Sequence, residues 1–192
     1  MKRFLSHIIV AVIVAVSIWV IRDHPSLLQG WVPSSYNQPG LGNKARIQVF
    51  FSPRGGCTAA CVAAIDNAKQ TILVQAYSFT SKPIAEALVR AEQRKVKVAI
   101  LLDKSQRTEK YTEASFVANN NIPTYIDAKH AIAHNKIMII DAARVITGSF
   151  NFTTSAEEHN AENMLIIDDP DLAIIYMRNW DAHKDHCEPF GR

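Results

Sequence analysis

The chain has little of what marks several common protein classes. It is 192 residues long with only three cysteines, Cys57, Cys61 and Cys187. That count excludes a disulfide scaffold and leaves at least one thiol unpaired within the chain. Net charge is also low, at +3. Residues 1–29 hold Lys2, Arg3 and Arg22 against Asp23, which leaves 18 basic and 17 acidic residues in the remainder. A body so nearly neutral carries no electrostatic signature of a nucleic-acid binder, so charge alone does not argue for that partner. There is no internal repeat and no low-complexity segment, which excludes solenoids and arrays. What is present is apolar material: 48% of residues are hydrophobic. The expectation is one domain of about 150 residues with an appendage.

The appendage is N-terminal. Lys2 and Arg3 precede an apolar run from Ile8 to Ile21 broken only by Ser17. Phe4 and Leu5 extend the run toward the length of a span, about 20 residues. Ala15-Val16-Ser17 fits a small-x-small cleavage site, yet bulky Ile18 and Trp19 follow. An uncleaved anchor is therefore favoured over a cleaved signal. Residues 1–22 are expected to be a signal peptide or an N-terminal membrane anchor. Basic flanks stay cytoplasmic. The rest is then exported, either periplasmic or held at the inner membrane facing the periplasm. Residues 23–46 hold Pro25, Gly30, Pro33, Pro39, Gly40 and Gly42, the composition of a linker. The folded domain is expected over 47–192.

Within it, strands alternate with helices. Strands are expected at Ile47–Phe51, Thr71–Phe79, Val96–Leu102, Thr124–Ile126 and Met164–Ile167. Thr58 is placed to cap a helix reaching about Gln70. Thr80 or Ser81 caps a second, with Pro83 in its first turn and Ile84, Ala87, Leu88 and Ala91 as its inner stripe. Thr112–Asn119 is a third. Thr154-x-x-Glu157 or Ser155-x-x-Glu158 forms a capping box. Asp169-Pro170 opens a final helix with Leu172, Ile175, Tyr176 and Trp180 inward. This order predicts an α/β fold, an α/β/α sandwich on a mixed, mostly parallel sheet.

The chemistry lies between His134 and Asn151. Ile137 to Ile140 is an apolar run too short for a helix. Asp141-Ala142-Ala143-Arg144 is a polar turn and Val145-Ile146-Thr147 returns, so the segment reads as a β-hairpin. Side chains alternate along a strand, which puts His134 and Lys136 on one face. A group able to attack or carry a proton is then paired with a fixed cation for phosphate. Asp141 has the opposite parity and lies seven residues on, so it is a poor direct partner for His134. Ser149 and Asn151 share parity and are candidate phosphate binders. Glu162 is a candidate to orient the His134 imidazole.

The spacing His134-x-Lys136, four residues, Asp141, six residues, Gly148-Ser149-x-Asn151 resembles the HKD motif of the phospholipase D superfamily. Ala76–Thr80, the Val98–Asp103 strand and Gly148–Thr153 are similar to its small single-motif bacterial endonucleases, over roughly residues 47–190. With His134, Lys136 and Glu162 as the catalytic candidates, the resemblance makes Asp141 of the motif a support for them. It implies phosphate binding by Lys136, Ser149 and Asn151, and a phosphohistidine on His134. It further implies metal-independent hydrolysis of nucleic acid, with no cofactor. Because the motif occurs once, it implies a homodimer whose two chains share one site.

DNA, or alternatively RNA, is the expected substrate, and the membrane is a partner through the N-terminal segment if that stays attached. The alternative is a phospholipase acting on lipid head groups. Such an enzyme would want an apolar rim, which the loops 104–112 and 152–160 do not suggest. Cys57-x3-Cys61 and His183-x2-His186-Cys187 have ligand types for zinc. The cysteines are read instead as core residues, or one of them as paired with Cys187. His130 is read as a loop residue, and no metal is expected. Lys104, Arg107 and Lys110 follow the carboxyl end of a strand, where α/β sheets place ligands, and are candidates to track a nucleic-acid backbone.

Overall fold

The computed structural model describes residues 45–191. The expected signal or anchor and nearly all of the expected linker lie outside them. Among the described residues no helix is long and apolar enough to cross a membrane.

The order of elements is β1 (Arg46–Ser52), α1 (Cys57–Asp66), β2 (Thr71–Ala76), α2 (Lys82–Gln93), β3 (Lys97–Asp103), a 3-10 turn (Lys104–Arg107), α3 (Ala114–Asn119), β4 (Thr124–Asp127), β5 (Lys136–Ile140), β6 (Arg144–Gly148), α4 (Thr154–Glu158), β7 (Glu162–Asp168), α5 (Pro170–Lys184) and β8 (Glu188–Pro189). Among the described residues they form one sheet of eight strands in the order β1-β7-β6-β5-β2-β3-β4-β8. The mixed α/β class is as expected, but the parallel share is smaller. Only β2–β3 and β3–β4 run parallel. The other neighbours are antiparallel, including β5 against both β2 and β6. The hairpin is thus the middle of the sheet rather than an insertion into it. Its strand reads KIMII with all five residues buried, as a central strand covered on both faces requires.

Two apolar layers cover the two faces. One packs α1 and α2 residues such as Ile65, Ile84 and Leu88 against Ile72, Met138 and Ile146. The other sets Ala173 and Trp180 of α5 on Leu101, Ile137, Ile139 and Val145. Trp180 satisfies its one buried donor by giving its indole N–H to Val74 O at 3.0 Å. The expected inner stripe of α2 is wholly buried. On α5, Leu172 and Tyr176 are only partly covered, and Ala173 takes the innermost place.

Helix starts were the least legible. Thr58 does not cap α1. Gly56 holds the N-cap position, and Glu157 reaches across to accept from Gly56 N at 3.0 Å and Thr58 N at 2.7 Å. The cap is supplied from 99 residues away, so no local pattern reveals it. Glu157 is therefore not part of a capping box. Thr153 caps α4, its hydroxyl accepting from Ala156 N at 3.0 Å. Asp169 caps α5 as expected, accepting from Asp171 N and Leu172 N.

Candidate active site

β5 runs antiparallel to β2, so its first residue sits at the carboxyl end of β2. This end of the sheet gathers the motif. Lys136 opens β5 opposite Ala76. His134 lies just before the strand and is exposed, while Lys136 is 7% exposed. The chain bends so that Lys136 Nζ donates to His134 O at 2.8 Å. Tyr77 joins the two. Its N–H donates to Asn135 O at 2.8 Å, its ring centroid is 4.5 Å from that of His134, and Lys136 Nζ is 4.9 Å from the same ring. Tyr77 thus buttresses the imidazole and offers the ammonium a cation–π face. Motif spacing could not reveal it, since it lies 57 residues before His134. In the sequence, the Ala76–Thr80 stretch carries only the family resemblance.

Burial pulls the Lys136 pKa below the usual lysine value, and the nearby Glu162 carboxylate opposes that pull. A desolvated ammonium is a stronger electrostatic partner for a phosphoryl group than a hydrated one. Glu162 opens β7, paired with Ser52. It accepts from Asn160 Nδ2 at 3.1 Å. Among the described residues no hydrogen bond joins it to His134, and the group on which its charge acts is Lys136.

Ser149 and Asn151 follow β6 through a tight passage. A side chain at Gly148, where φ is 151°, would set its Cβ 2.2 Å from Asn163 O, so only glycine fits. Beyond it the chain alternates. Phe150 and Phe152 are each 1% exposed in the core, and Ser149 lies outward. Ser149 Oγ accepts from Asn163 N at 3.0 Å. Asn151 Oδ1 is enclosed with no hydrogen-bond partner, a polar end the fold itself does not use. The Phe152 carbonyl accepts from Thr80 N and Ser81 N, which ties this loop to the one carrying Tyr77. A cavity of about 530 Å³ opens beside the motif, lined by His134, Lys136, Thr147, Gly148, Tyr176 and Asn179 among others.

A family model for the PLD-like domain of cardiolipin synthase matches residues 61–183. The chain belongs to the phospholipase D-like family. It is therefore a hydrolase of the phospholipase D family. A curated relative, "Phospholipase D" of Rickettsia prowazekii, is 42% identical over 142 residues, covering 74% of this chain and 69% of that protein. A "Mitochondrial cardiolipin hydrolase" of Xenopus laevis is 25% identical over 154 residues, covering 74% and 73%. The crystal structure of the phospholipase D family member Nuc from Salmonella typhimurium superposes with a TM-score of 0.73 at 37% identity, over 77% of this chain and 99% of that one. NucT of Helicobacter pylori shares the fold, with a TM-score of 0.70 at 23% identity over 77% and 100%.

The third letter of the HKD motif sits elsewhere. Asp141 follows the far end of β5, at the opposite end of that strand from Lys136. Its carboxylate accepts from Lys69 N at 2.9 Å, Gln70 N at 2.7 Å and Thr71 N at 3.0 Å. Burial pushes its pKa up, but the bonds from Thr71, Gln70 and Lys69 outweigh this and hold it below the usual range. Asp141 staples the β5–β6 turn to the start of β2. It does not belong to the catalytic group proposed from the motif, in agreement with its strand parity.

Of the two readings of the cysteines, packing in the core holds and pairing with Cys187 does not. The three cysteines are free. Cys57 and Cys61 are fully buried on the α1 face, where Cys61 Sγ lies 3.4 Å from Met164 Sδ, and burial pushes the Cys57 thiol up to about 11. Cys187 packs on the opposite face and pairs with neither. Lys104 and Arg107 are engaged within the fold: Lys104 donates to His130 O at 3.1 Å, and Arg107 pairs with Glu188. Two loop residues expose large apolar side chains: Tyr111 is 68% exposed and Ile132, two residues before His134, is 58% exposed.

Proposed function

We propose that the protein is a metal-independent endonuclease that cleaves nucleic-acid phosphodiester bonds through a phosphohistidine. The observation that carries the reading is the exposed His134 held against the desolvated Lys136 by Tyr77. His134 attacks phosphorus and a P–O bond to the leaving strand breaks. The leaving oxygen takes a proton from an acid, and water then displaces the histidine. Lys136 and Asn151 hold the non-bridging oxygens as charge develops on them, and the Ser149 hydroxyl adds a further donor. Glu162 favours the charged form of Lys136 and is the group proposed to orient the His134 imidazole. The resemblance to small single-motif endonucleases, and a match to Nuc that runs the length of that chain, favour nucleic acid.

One chain carries one such histidine, so the general acid is the second His134 of a homodimer. An apolar row supports this assembly. Ile47, Val49 and Phe51 on the edge strand β1 are 46%, 53% and 65% exposed. Ile47 pairs with Ile167, and Ile167 with Val145 under α5, so the row extends the apolar face beyond that helix. An edge strand with three large exposed apolar side chains is a surface to be covered. Phe51 pairs with Asn163, beside Glu162, which puts that cover next to the site.

The second reading is a phospholipase. The relative named phospholipase D and the exposed Ile132 near His134 favour it. The chemistry at phosphorus is the same. The deciding assay offers plasmid DNA, RNA and phospholipid vesicles in parallel, each with excess chelator. Cleavage of nucleic acid alone supports the first reading and head-group release alone the second. Activity lost to chelator and restored by magnesium would sink the mechanism. We further propose export, with residues 1–22 as signal or anchor. A reporter fused after Arg192 that worked only in the cytoplasm would overturn it.

A further inference from the structure

A second cluster lies at the same end of the strands, three strands away from β5. In the order β5-β2-β3-β4 that is about 14 Å at the usual strand spacing. Asp127 ends β4 and is 1% exposed. His130 lies in the loop that leads on to His134. His183 is in the last turn of α5, and His186 follows the helix. His183 Nδ1 lies 2.7 Å and His130 Nδ1 2.9 Å from Asp127 Oδ2, and His186 Nε2 lies 3.3 Å from Asp127 Oδ1. The ring centroids of the three histidines are 4.7, 5.2 and 5.5 Å apart. One ligand atom from each of the four residues lies within 4.8 Å of all the others.

We propose that Asp127, His130, His183 and His186 form a structural binding site for a divalent transition metal ion of the zinc class. The donor set decides the class. Three imidazole nitrogens and one carboxylate oxygen suit zinc and its neighbours, whereas calcium and magnesium prefer oxygen throughout. Zinc bonds of about 2.0–2.1 Å in a tetrahedron put ligand atoms roughly 3.4 Å apart. The four ligand atoms, all within 4.8 Å of one another, exceed that spacing by about 1.4 Å at most. Four protein ligands with no open position describe a structural site rather than a catalytic one.

The carboxylate is already oriented from behind. Lys129 N and His130 N donate to Asp127 Oδ1 at 3.2 and 3.4 Å, the outer support that metal ligands commonly have. A plain hydrogen-bonded cluster accounts for the site less completely. His130 and His183 can each give a proton to Asp127. The His186 Nε2 is enclosed and close to the same carboxylate, yet makes no hydrogen bond. A metal at the centre uses all four donors.

The consequence is a staple. His130 is four residues before His134, and the ligands from α5 are more than fifty residues further on. The ion would fasten the loop that delivers the nucleophile to the end of the C-terminal helix. It takes no part in the chemistry at His134. The sequence sets His183-x2-His186 beside Cys187, and only the fold brings Asp127 and His130 to the two histidines instead.

The test uses the full, untagged chain in detergent, stripped with chelator and dialysed with zinc or magnesium. The expected result is about one zinc and no magnesium retained per chain. Zinc at a hundredfold excess over Kd should raise the melting temperature by about 5–10 °C. His183→Ala should retain no zinc and show no zinc-dependent shift. Should that variant fail to fold, His186→Gln serves instead, with its cobalt(II) visible spectrum altered from that of the wild type. A wild-type chain without stoichiometric zinc or melting shift, or histidine variants indistinguishable from it in metal content and cobalt spectrum, overturns the proposal.

Discussion

Asp141 gives the sharpest test of what a motif letter does. Its carboxylate serves three backbone N–H groups, two through Oδ1 and one through Oδ2. Asp141→Asn keeps Oδ1 and so the bonds from Gln70 and Thr71. It replaces Oδ2 with a donor that faces the Lys69 N–H. The residue has φ 53°, which asparagine tolerates, so no backbone strain is added. One charge-assisted bond is lost at a partly exposed site, which costs about 1–2 kcal/mol. Asp141→Ala loses all three bonds and adds the left-handed penalty, for about 3–4 kcal/mol. For a chain of this size each kcal/mol lowers the melting temperature by about 2–4 °C. The expected drops are then roughly 2–8 °C for Asn and on the order of 10 °C for Ala. Hydrolysis per folded molecule, assayed well below the melting range, should stay within about twofold. The pH dependence follows from the lowered pKa. A depressed folded value contributes stability above the unfolded value of about 3.9, and that stability is lost as pH falls through the folded value. The gap between wild type and Asp141→Asn should therefore hold at neutral pH and close in acid. An Asp141→Asn enzyme that melts normally but loses a hundredfold in turnover would refute the reasoning and return Asp141 to the active site.

Lys136→Ala should cost about 10²–10³ in turnover while circular dichroism stays native; a collapsed melting transition would instead make Lys136 a structural residue. Because burial lowers the Lys136 pKa, activity should fail on the alkaline side below the ordinary lysine value of about 10.4. Glu162→Gln removes the opposing charge and should move that limb to lower pH; an unmoved limb would separate Glu162 from Lys136. Mixed dimers with one His134→Ala chain should be inactive, so random co-assembly at wild-type fraction f gives activity proportional to f squared, about a quarter at equal mixing. Half would mean that each chain carries a complete site.

Much of the site was legible because its chemistry is local in the chain. His134 and Lys136 lie two residues apart, so their proximity is local in the chain, although His134 falls just before β5 and a bend, not strand alternation, sets its position. Gly148-Ser149-x-Asn151 follows a turn that the polar run 141–144 announces. The parity of Asp141 already set it apart, and its three backbone partners explain why. The strands were equally legible where apolar runs were short and bounded, as at Lys136–Ile140. Their direction was not. Parallel or antiparallel pairing depends on which strands become neighbours, and alternation of elements alone suggested a mostly parallel sheet.

The rest needed the tertiary structure, because its partners are remote in sequence. Tyr77 reaches His134 across 57 residues, through the pairing of β2 with β5. Glu157 caps a helix 99 residues before it. The burial that lowers the Lys136 pKa comes from the packed sheet, not from its sequence neighbours. The pairing of Ile47 with Ile167 turns three ordinary strand residues into an uncovered apolar row. His183 and His186 were visible as ligand types, but the carboxylate they face arrives from β4, 56 residues earlier. Periodicity and spacing determine which face and which turn a residue occupies. Which remote groups meet there is decided only when the whole sheet buries its two faces at once.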